Sequence, residues 1–422
     1  MEHCGSRIEP GGDALGPREL SGWKPVPSRV QLRTTQSAFA ESETSDVTRV
    51  NGAAFAAVVC LCGAAWGEEA RTRPAGTRPA ATRPEREREL GNRLSATPND
   101  VHRLFLDDPA SFAEASPAML TSRIVEAEFP FNDLVPSWNV DVPEGAGFAV
   151  EIRLGRRDGD FWTPYYYLGS WGAAPEIQEK HLSDSNGFIN IDYFQSTRTF
   201  DRFQYRFLLS GGASGRRPVP RRVAMAYSNT LNDEQLARRF RRPVDPGPKQ
   251  DWARRLAVPY RSQRWEDEKI RGSICSPTSV SMVLAYRGVN EPTAQVCRVI
   301  YDPEYGIYGN WWRAVQGAYS YGVRGYLERF GDWNAVKRHI AAGRPVIASI
   351  RVRRGEMSNA PYRQSDGHLL VITGFDEAGN VHVNDPAADT AQAGQATYRR
   401  EDMEKVWLAR GGIGYVLLGP DE

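Results

Sequence analysis

A thiol, an imidazole and a carboxylate, far apart in the chain, are the groups in this sequence with the most chemical reach. Cys275 heads the stretch "CSPTSVSMVLAYRG" (275–288), which predicts a helix with Pro277 in its first turn and Gly288 as its stop. A cysteine placed immediately before a helix that begins at Ser276-Pro277 faces unpaired backbone N–H groups and the positive end of the helix dipole, and both favour thiolate. With an imidazolium nearby, such a thiol falls from ~8.5 into a range of roughly 3.5 to 7.5 and becomes a nucleophile at neutral pH. The cysteine alone does not establish this, because free cysteine is among the most buried residue types. Cys297, in "TAQVCRVIY", reads as that ordinary case, with apolar helical neighbours and no polar approach.

The nucleophile needs a base, and the last part of the chain offers His339, His368 and His382. In a hairpin of strands 367–375 and 381–386 with an even-numbered turn, parity puts His368 and Asp385 on one sheet face. They then lie opposite or diagonal to each other, within about 5 to 8 Å at Cβ. His382 points to the other face, and His339, on the predicted helix 333–343, has no comparable acidic partner in local reach. A carboxylate that fixes one ring nitrogen while the other faces sulfur is the relation a Cys-His-Asp triad requires. The plain alternative is a cross-strand polar pair. Gln263, twelve residues upstream of Cys275, supplies an amide that could join the Cys275 backbone N–H in holding an oxyanion.

The order glutamine, cysteine, histidine, aspartate resembles that of papain-like cysteine peptidases, most of all the C39-like peptidase family in its secreted bacterial branch. The stretches that carry the resemblance are "VPYRSQ" (258–263), "CSPTSVSMVLAYRG" (275–288), "GNWWRAVQGAYSYG" (309–322), "GRPVIASI" (343–350), "GHLLVITGFDEAGNVHVNDPA" (367–387) and "GGIGYVLL" (411–418). They span 256–422, about two-fifths of the chain. The resemblance implies Cys275 as nucleophile, His368 as general base then acid, Asp385 as orienter and Gln263 as oxyanion donor. Many relatives have glycine after the cysteine, where this chain has Ser276. Members of the broader family that process bacteriocin leaders are fused to an ABC transporter. This sequence shows neither the membrane spans nor the nucleotide-binding loop, which argues against that substrate. The region from "SWNVDVPEGAGFAVEIRLG" to "WTPYYYLGSW" resembles the β-rich segment that commonly precedes the peptidase domain in secreted relatives.

The elements that must position these groups follow from periodicity. After a segment with three prolines and a glycine (241–252), predicted helices at 276–288 and 333–343 precede predicted strands at 344–352, 367–375 and 381–386. That order makes an α+β domain over 253–422, papain-like by the resemblance. Upstream the period is two. In "GFAVEIRL", Phe148, Val150, Ile152 and Leu154 alternate with Ala149, Glu151 and Arg153, and "FINIDYF", "RFQYRFLLS" and "RRVAMAYS" follow between turn clusters. Short strands without a long helical pattern predict an all-β sandwich or jelly-roll-like domain over 101–240. Its Trp138, Trp162, Tyr165, Tyr166, Tyr167 and Trp171 offer either an aromatic platform for a glycan or cell-wall contact, or the ordinary core and rim of a sheet. In the second domain "YGIYGNWWRAV" and the "RGG" before the last strand are candidates for the cleft wall, and core packing accounts for Trp311 and Trp312 equally well.

A chain of 422 residues exceeds a single typical core. Its 53 basic and 52 acidic side chains leave a net charge of +1, so no bias toward nucleic acid exists, and the Arg pairs between Arg216 and Arg242 read as solvated linker charge. Five cysteines occur, none in a CxxC or Cys/His arrangement, so no metal or other cofactor is expected. The apolar run Ala53 to Trp66 is short of the ~20 residues a membrane span needs. It suits a signal peptide cleaved after Gly67, with residues 1–46 an extension before the true start or disordered. The alternative for this run is a short buried helix or an anchor. The expected organisation is therefore an extension with signal peptide (1–67), an Arg/Pro-rich linker (68–100) in which Thr-Arg-Pro recurs, the β domain, the linker 241–252 and the peptidase domain. The expected activity is a secreted, periplasmic or cell-surface thiol peptidase acting on a peptide or protein, with no nucleic-acid or integral-membrane partner. A transglutaminase-type acyl transferase and a non-catalytic peptide- or glycan-binding module remain open alternatives.

Overall fold

A computed structural model describes residues 97–212, 215–420 and 422. The expected signal peptide with Cys60 and Cys62, the extension with Cys4, and all but the end of the first linker lie outside the described residues. The described residues fall within one compact unit. No helix among them is long and apolar enough to cross a membrane.

Ten strands come first: β1 (Val101–Asp107), β2 (Glu114–Ala115), β3 (Met119–Thr121), β4 (Val125–Asp141), β5 (Gly147–Arg156), β6 (Phe161–Trp162), β7 (Tyr166–Gly172), β8 (Phe188–Asn190), β9 (Tyr193–Ser210) and β10 (Val219–Asn229). They pair antiparallel as one network in the order β1-β10-β4-β9-β3-β2, with β5 to β8 attached alongside. The long strands β4 and β9 each serve two neighbourhoods. The C-terminal part of β4 pairs β10 and its N-terminal end pairs β9, with register shifts between Glu126 and Asp133. Such irregularities bend a strand, and the sheet curls round buried Phe131, Trp138, Phe148, Phe194, Tyr205 and Phe207. The expected sandwich is not confirmed; the pairing shows a curled antiparallel sheet. Phe148, Val150, Ile152 and Leu154 are buried as their alternation predicts. Ala149 and Glu151 between them are buried as well, because β5 is flanked by β7 and β9, and Glu151 is ion-paired with Arg206 at 2.6 Å. Trp138, Tyr166 and Tyr167 are core residues, while Arg206 lies over Tyr165, and Arg153 and Arg202 over Trp162.

Helix α1 (Glu234–Phe240) follows, and the stretch expected as a linker ends in a short helix, α2 (Lys249–Trp252), whose buried Trp252 meets Phe375 edge-on. Next come α3 (Cys275–Tyr286), α4 (Thr293–Ile300), α5 (Trp311–Ser320), β11 (Gly325–Arg329), α6 (Trp333–Ala341), β12 (Val346–Val352), β13 (Ser365–Phe375), β14 (Val381–Asn384), α7 (Ala391–Gly394), β15 (Thr397–Tyr398), α8 (Arg400–Val406) and β16 (Ile413–Leu417). The strands form a six-stranded sheet in the order β11-β16-β12-β13-β14-β15. Helix α3 is buried along Cys275 to Leu284, and Ser279 Oγ donates to the Leu369 carbonyl of β13. Asn310 and Asp332 cap α5 and α6 with side-chain oxygens, as residues of those types do.

The β13–β14 hairpin reaches the expected parity by another route. Its loop, 376–380, has five residues, and an unbroken ladder across an odd loop would put His368 and Asp385 on opposite faces. A bulge between Ile372 and Gly374 shifts the register by one, so that Val371 faces Asn384. Gly374 is the residue that permits it, because a Cβ there would lie 1.7 Å from the Arg254 carbonyl oxygen.

The outer edge of β11 is covered by side chains of β4. Ser137 Oγ accepts from Leu327 N–H at 2.9 Å, Asn139 Oδ1 from Gly325 N–H at 3.1 Å, and Arg329 is ion-paired with Asp133, both fully buried. Gln316 of α5 adds two bonds of 2.9 Å to the Val140 backbone. These contacts close an edge that would otherwise be free to pair. Burial pushes the Asp133 carboxyl up to about 6 despite Arg329. Arg329→Met removes the partner, so unfolding in urea should show a stability loss of about 3 to 5 kcal/mol, most of it recovered in Arg329→Met/Asp133→Leu.

Candidate active site

Cys275 is the first residue of α3, one position earlier than the sequence predicts. No side chain caps this helix end, and Pro277 has no N–H to satisfy, so the N–H groups of the first turn are left for the sulfur. The Ser276 and Leu369 N–H groups lie near enough to the sulfur to favour its charged form. The Ser276 hydroxyl is turned away, 3.3 Å from Tyr415 Oη in the core, so the side chain that stands where relatives have glycine does not crowd the thiol. His368, on β13, stands beside Cys275 and acts on the thiol by its charge and hydrogen-bonding capacity. Its Nε2 lies 2.8 Å from Asp385 Oδ1, which leaves Nδ1 for the sulfur.

Asp385 is fully buried at the end of β14 and takes four hydrogen bonds. Oδ1 meets His368 and the Ala387 N–H at 3.0 Å, and Oδ2 accepts from Tyr362 Oη at 2.9 Å and Tyr398 Oη at 2.8 Å. Both lone pairs of each oxygen are used, which fixes the carboxylate in one orientation. Tyr362 also packs its ring on His368, centroids 4.8 Å apart. Sequence reasoning missed both tyrosines, since neither lies in a motif nor at a spacing that ties it to Asp385.

The electrostatics agree with the geometry. Burial pushes the Asp385 carboxyl up, but the charge and hydrogen bond of His368, with the Ala387 N–H and Tyr398, hold it below the ordinary carboxylate range. Burial lowers His368, and the charge and hydrogen bond of Asp385 outweigh it, leaving the imidazole well above its ordinary value. Burial raises the Cys275 thiol, and His368 together with the Leu369 and Ser276 N–H groups brings it below an ordinary thiol. Cys297, also a free thiol, is buried on α4 and pushed up to about 12 by burial.

Gln263 opens a 3-10 turn (Gln263–Trp265), and its N–H bonds to the Pro386 carbonyl at 2.9 Å, directly after Asp385. Its Nε2 donates to the Arg271 carbonyl at 2.7 Å, and the second N–H of that amide has no acceptor among the described residues. The other histidines stand apart. His382 bonds to Thr397 Oγ1 and Arg255 away from the thiol. His339, expected to lack a comparable acidic partner in local reach, meets a more distant one, Glu328, at 3.1 Å, because the folded chain lays α6 beside β11. Among the described residues no group of three His, Cys, Asp or Glu side chains is arranged to hold a metal.

Cys275 opens on a cavity of about 300 Å³. Ile307, Tyr308 and Trp311 from the "YGIYGNWW" segment form one wall, and Ile350, Leu369 and Ile413 another. The two tryptophans divide their duties: Trp311 lines the cavity and Trp312 is core, its ring 4.7 Å from Trp138. Ile191, from the preceding domain, completes the lining. It occupies the tip of the β8–β9 hairpin with φ 60°, where glycine is usual and a β-branched residue is out of place. Such a conformation costs roughly 1 to 3 kcal/mol.

Two models of known families match different parts of the chain. Residues 255–415 match the model of the Peptidase_C39 like family, and residues 76–228 match that of the Peptidase C39 N-terminal domain. The general class is thus that of cysteine peptidases. Residues 255–415 are a domain of the C39-like peptidase family, preceded by a segment that matches the N-terminal domain of C39 peptidases. It is similar to a solved double glycine motif protease from an AMS/PCAT transporter, determined in complex with the leader peptide, with 21% identity over 39% of this chain and 92% of that one and a TM-score of 0.28. No curated protein matches.

Proposed function

We propose that the chain is a secreted thiol peptidase that hydrolyses a peptide or related amide bond through an acyl-enzyme. The observation that carries this reading is His368 hydrogen-bonded to Asp385 and set beside Cys275 inside the family-matched domain. The Cys275 thiolate attacks the carbonyl carbon, and the oxyanion that forms is held by the Cys275 backbone N–H and the uncommitted N–H of Gln263. The His368 imidazolium passes its proton to the amine as the C–N bond breaks, leaving a thioester. Water then attacks the thioester, giving His368 its proton, and the C–S bond breaks to release the acid. Asp385 orients the ring throughout and remains ionised. Export is supported by the apolar run Ala53 to Trp66 and the small residues Ala65 and Gly67, and the division into a β domain (101–240) and a peptidase domain (253–422) by the two family matches.

The pH dependence of Cys275 alkylation tests the reading. The thiolate is the reactive form and its pKa is lowered, so the rate should rise through an inflection below ~8.5, the ordinary thiol value. His368→Ala removes the cation and should move the inflection up. An inflection at the ordinary value in the native protein, unmoved by His368→Ala, overturns the proposal.

A further inference from the structure

The hairpin that presents Ile191 is tied to the following domain at two points and braced within itself at a third. Asp192 Oδ2 accepts the Trp311 N–H at the start of α5 at 2.7 Å, the Tyr193 ring stacks on Trp311 with centroids 5.5 Å apart, and Asn190 Nδ2 donates to Tyr193 Oη at 2.9 Å. These bonds hold the left-handed residue between them, so its side chain has a set place in the lining. The cavity they border is apolar over most of its wall, adjoins the thiol, and has room for a whole amino-acid side chain.

We infer that this cavity is the subsite for a bulky apolar side chain next to the scissile bond, and that Ile191, contributed by the N-terminal domain, is the residue that sets its depth. The inference rests on the peptidase reading of Cys275. It gives the β domain a part in substrate selection. A peptide with glycine or a charged residue at that position leaves the cavity unfilled or desolvates a charge, and both are disfavoured.

The test reads the cavity without requiring turnover. Iodoacetamides bearing N-methyl, N-butyl, N-cyclohexyl and N-benzyl groups are reacted with the full chain, and alkylation of Cys275 is followed by mass spectrometry. Each rate is divided by that of the same reagent with free cysteine. The normalised rate should climb by about tenfold from methyl to benzyl, the size of effect that filling an apolar pocket produces. Ile191→Trp should flatten the series by filling the space, and Ile191→Gly, which also suits the left-handed backbone, should extend it to an N-naphthylmethyl reagent. A flat series in the native protein, or one that neither substitution alters while thermal unfolding shows both variants folded, overturns the inference. If the series climbs but no peptide is cleaved, the peptidase reading fails; if peptides are cleaved and the series is flat, the subsite assignment fails.

Discussion

Cys275→Ala should abolish peptide cleavage, with a fall in kcat of about 10⁴-fold or more, the scale of loss when a nucleophile is removed from a constellation that acts as a unit. The sulfur has no substitute. Cys297, the other free thiol among the described residues, is buried on α4 with a pKa pushed up to about 12, and it bonds to no imidazole. Cys297→Ala should therefore cleave at the native rate. Binding of peptide to Cys275→Ala, measured by calorimetry, should persist, because an alanine leaves the cavity wall of Ile307, Tyr308 and Leu369 intact. Cleavage that survives in Cys275→Ala would remove the basis for an acyl-enzyme. Binding without cleavage in the native protein would favour the binding-module alternative. Product analysis with added amine separates hydrolysis from acyl transfer: hydrolysed product should predominate over amide.

Asp385→Ala should damage both activity and fold. Four donors converge on this carboxylate from His368, Ala387, Tyr362 and Tyr398, of which only Tyr362 is partly exposed. Removing it leaves a buried imidazolium unpaired and two tyrosine hydroxyls without their acceptor, a stability loss of about 3 to 5 kcal/mol. The activity loss should be about 10²- to 10⁴-fold, the usual worth of a positioned acid–base group. The sign of the accompanying pH effect follows from the linked shifts. Asp385 holds the His368 pKa high, so without it the ring becomes neutral at lower pH and the thiol loses its cation. The alkylation inflection should then move up. Asp385→Asn keeps the shape and an acceptor oxygen for the ring, so its unfolding midpoint in urea should lie nearer to the native protein than that of Asp385→Ala. If Asp385→Ala matches the native protein in rate and in inflection, the carboxylate has no part in positioning His368.

The legible features were those governed by neighbours in sequence. The helix after Cys275 announces itself through Pro277 and Gly288, and β5 through its alternation. The pairing of His368 with Asp385 follows from face parity, yet by a different path from the simple one. An even turn would have sufficed; the chain has an odd one and corrects it with a bulge at Gly374. Whether a strand takes up an extra residue depends on what lies against it, here the Arg254 backbone, and 120 residues of sequence separate the two. Tyr362 and Tyr398 were invisible for the same reason, being ordinary tyrosines until folding brings both hydroxyls to one carboxylate.

The amino-acid sequence by itself determined which groups are available for chemistry, that a helix follows the thiol, and that the imidazole lies on a strand, because turn signals and alternation are short-range effects. The tertiary structure alone decided that the carboxylate is saturated by tyrosines, that Trp311 faces the cleft while Trp312 is core, and that an isoleucine of the first domain borders the thiol of the second. Those outcomes depend on burial and on contacts between segments distant in the chain, and such contacts exist only once the chain has folded.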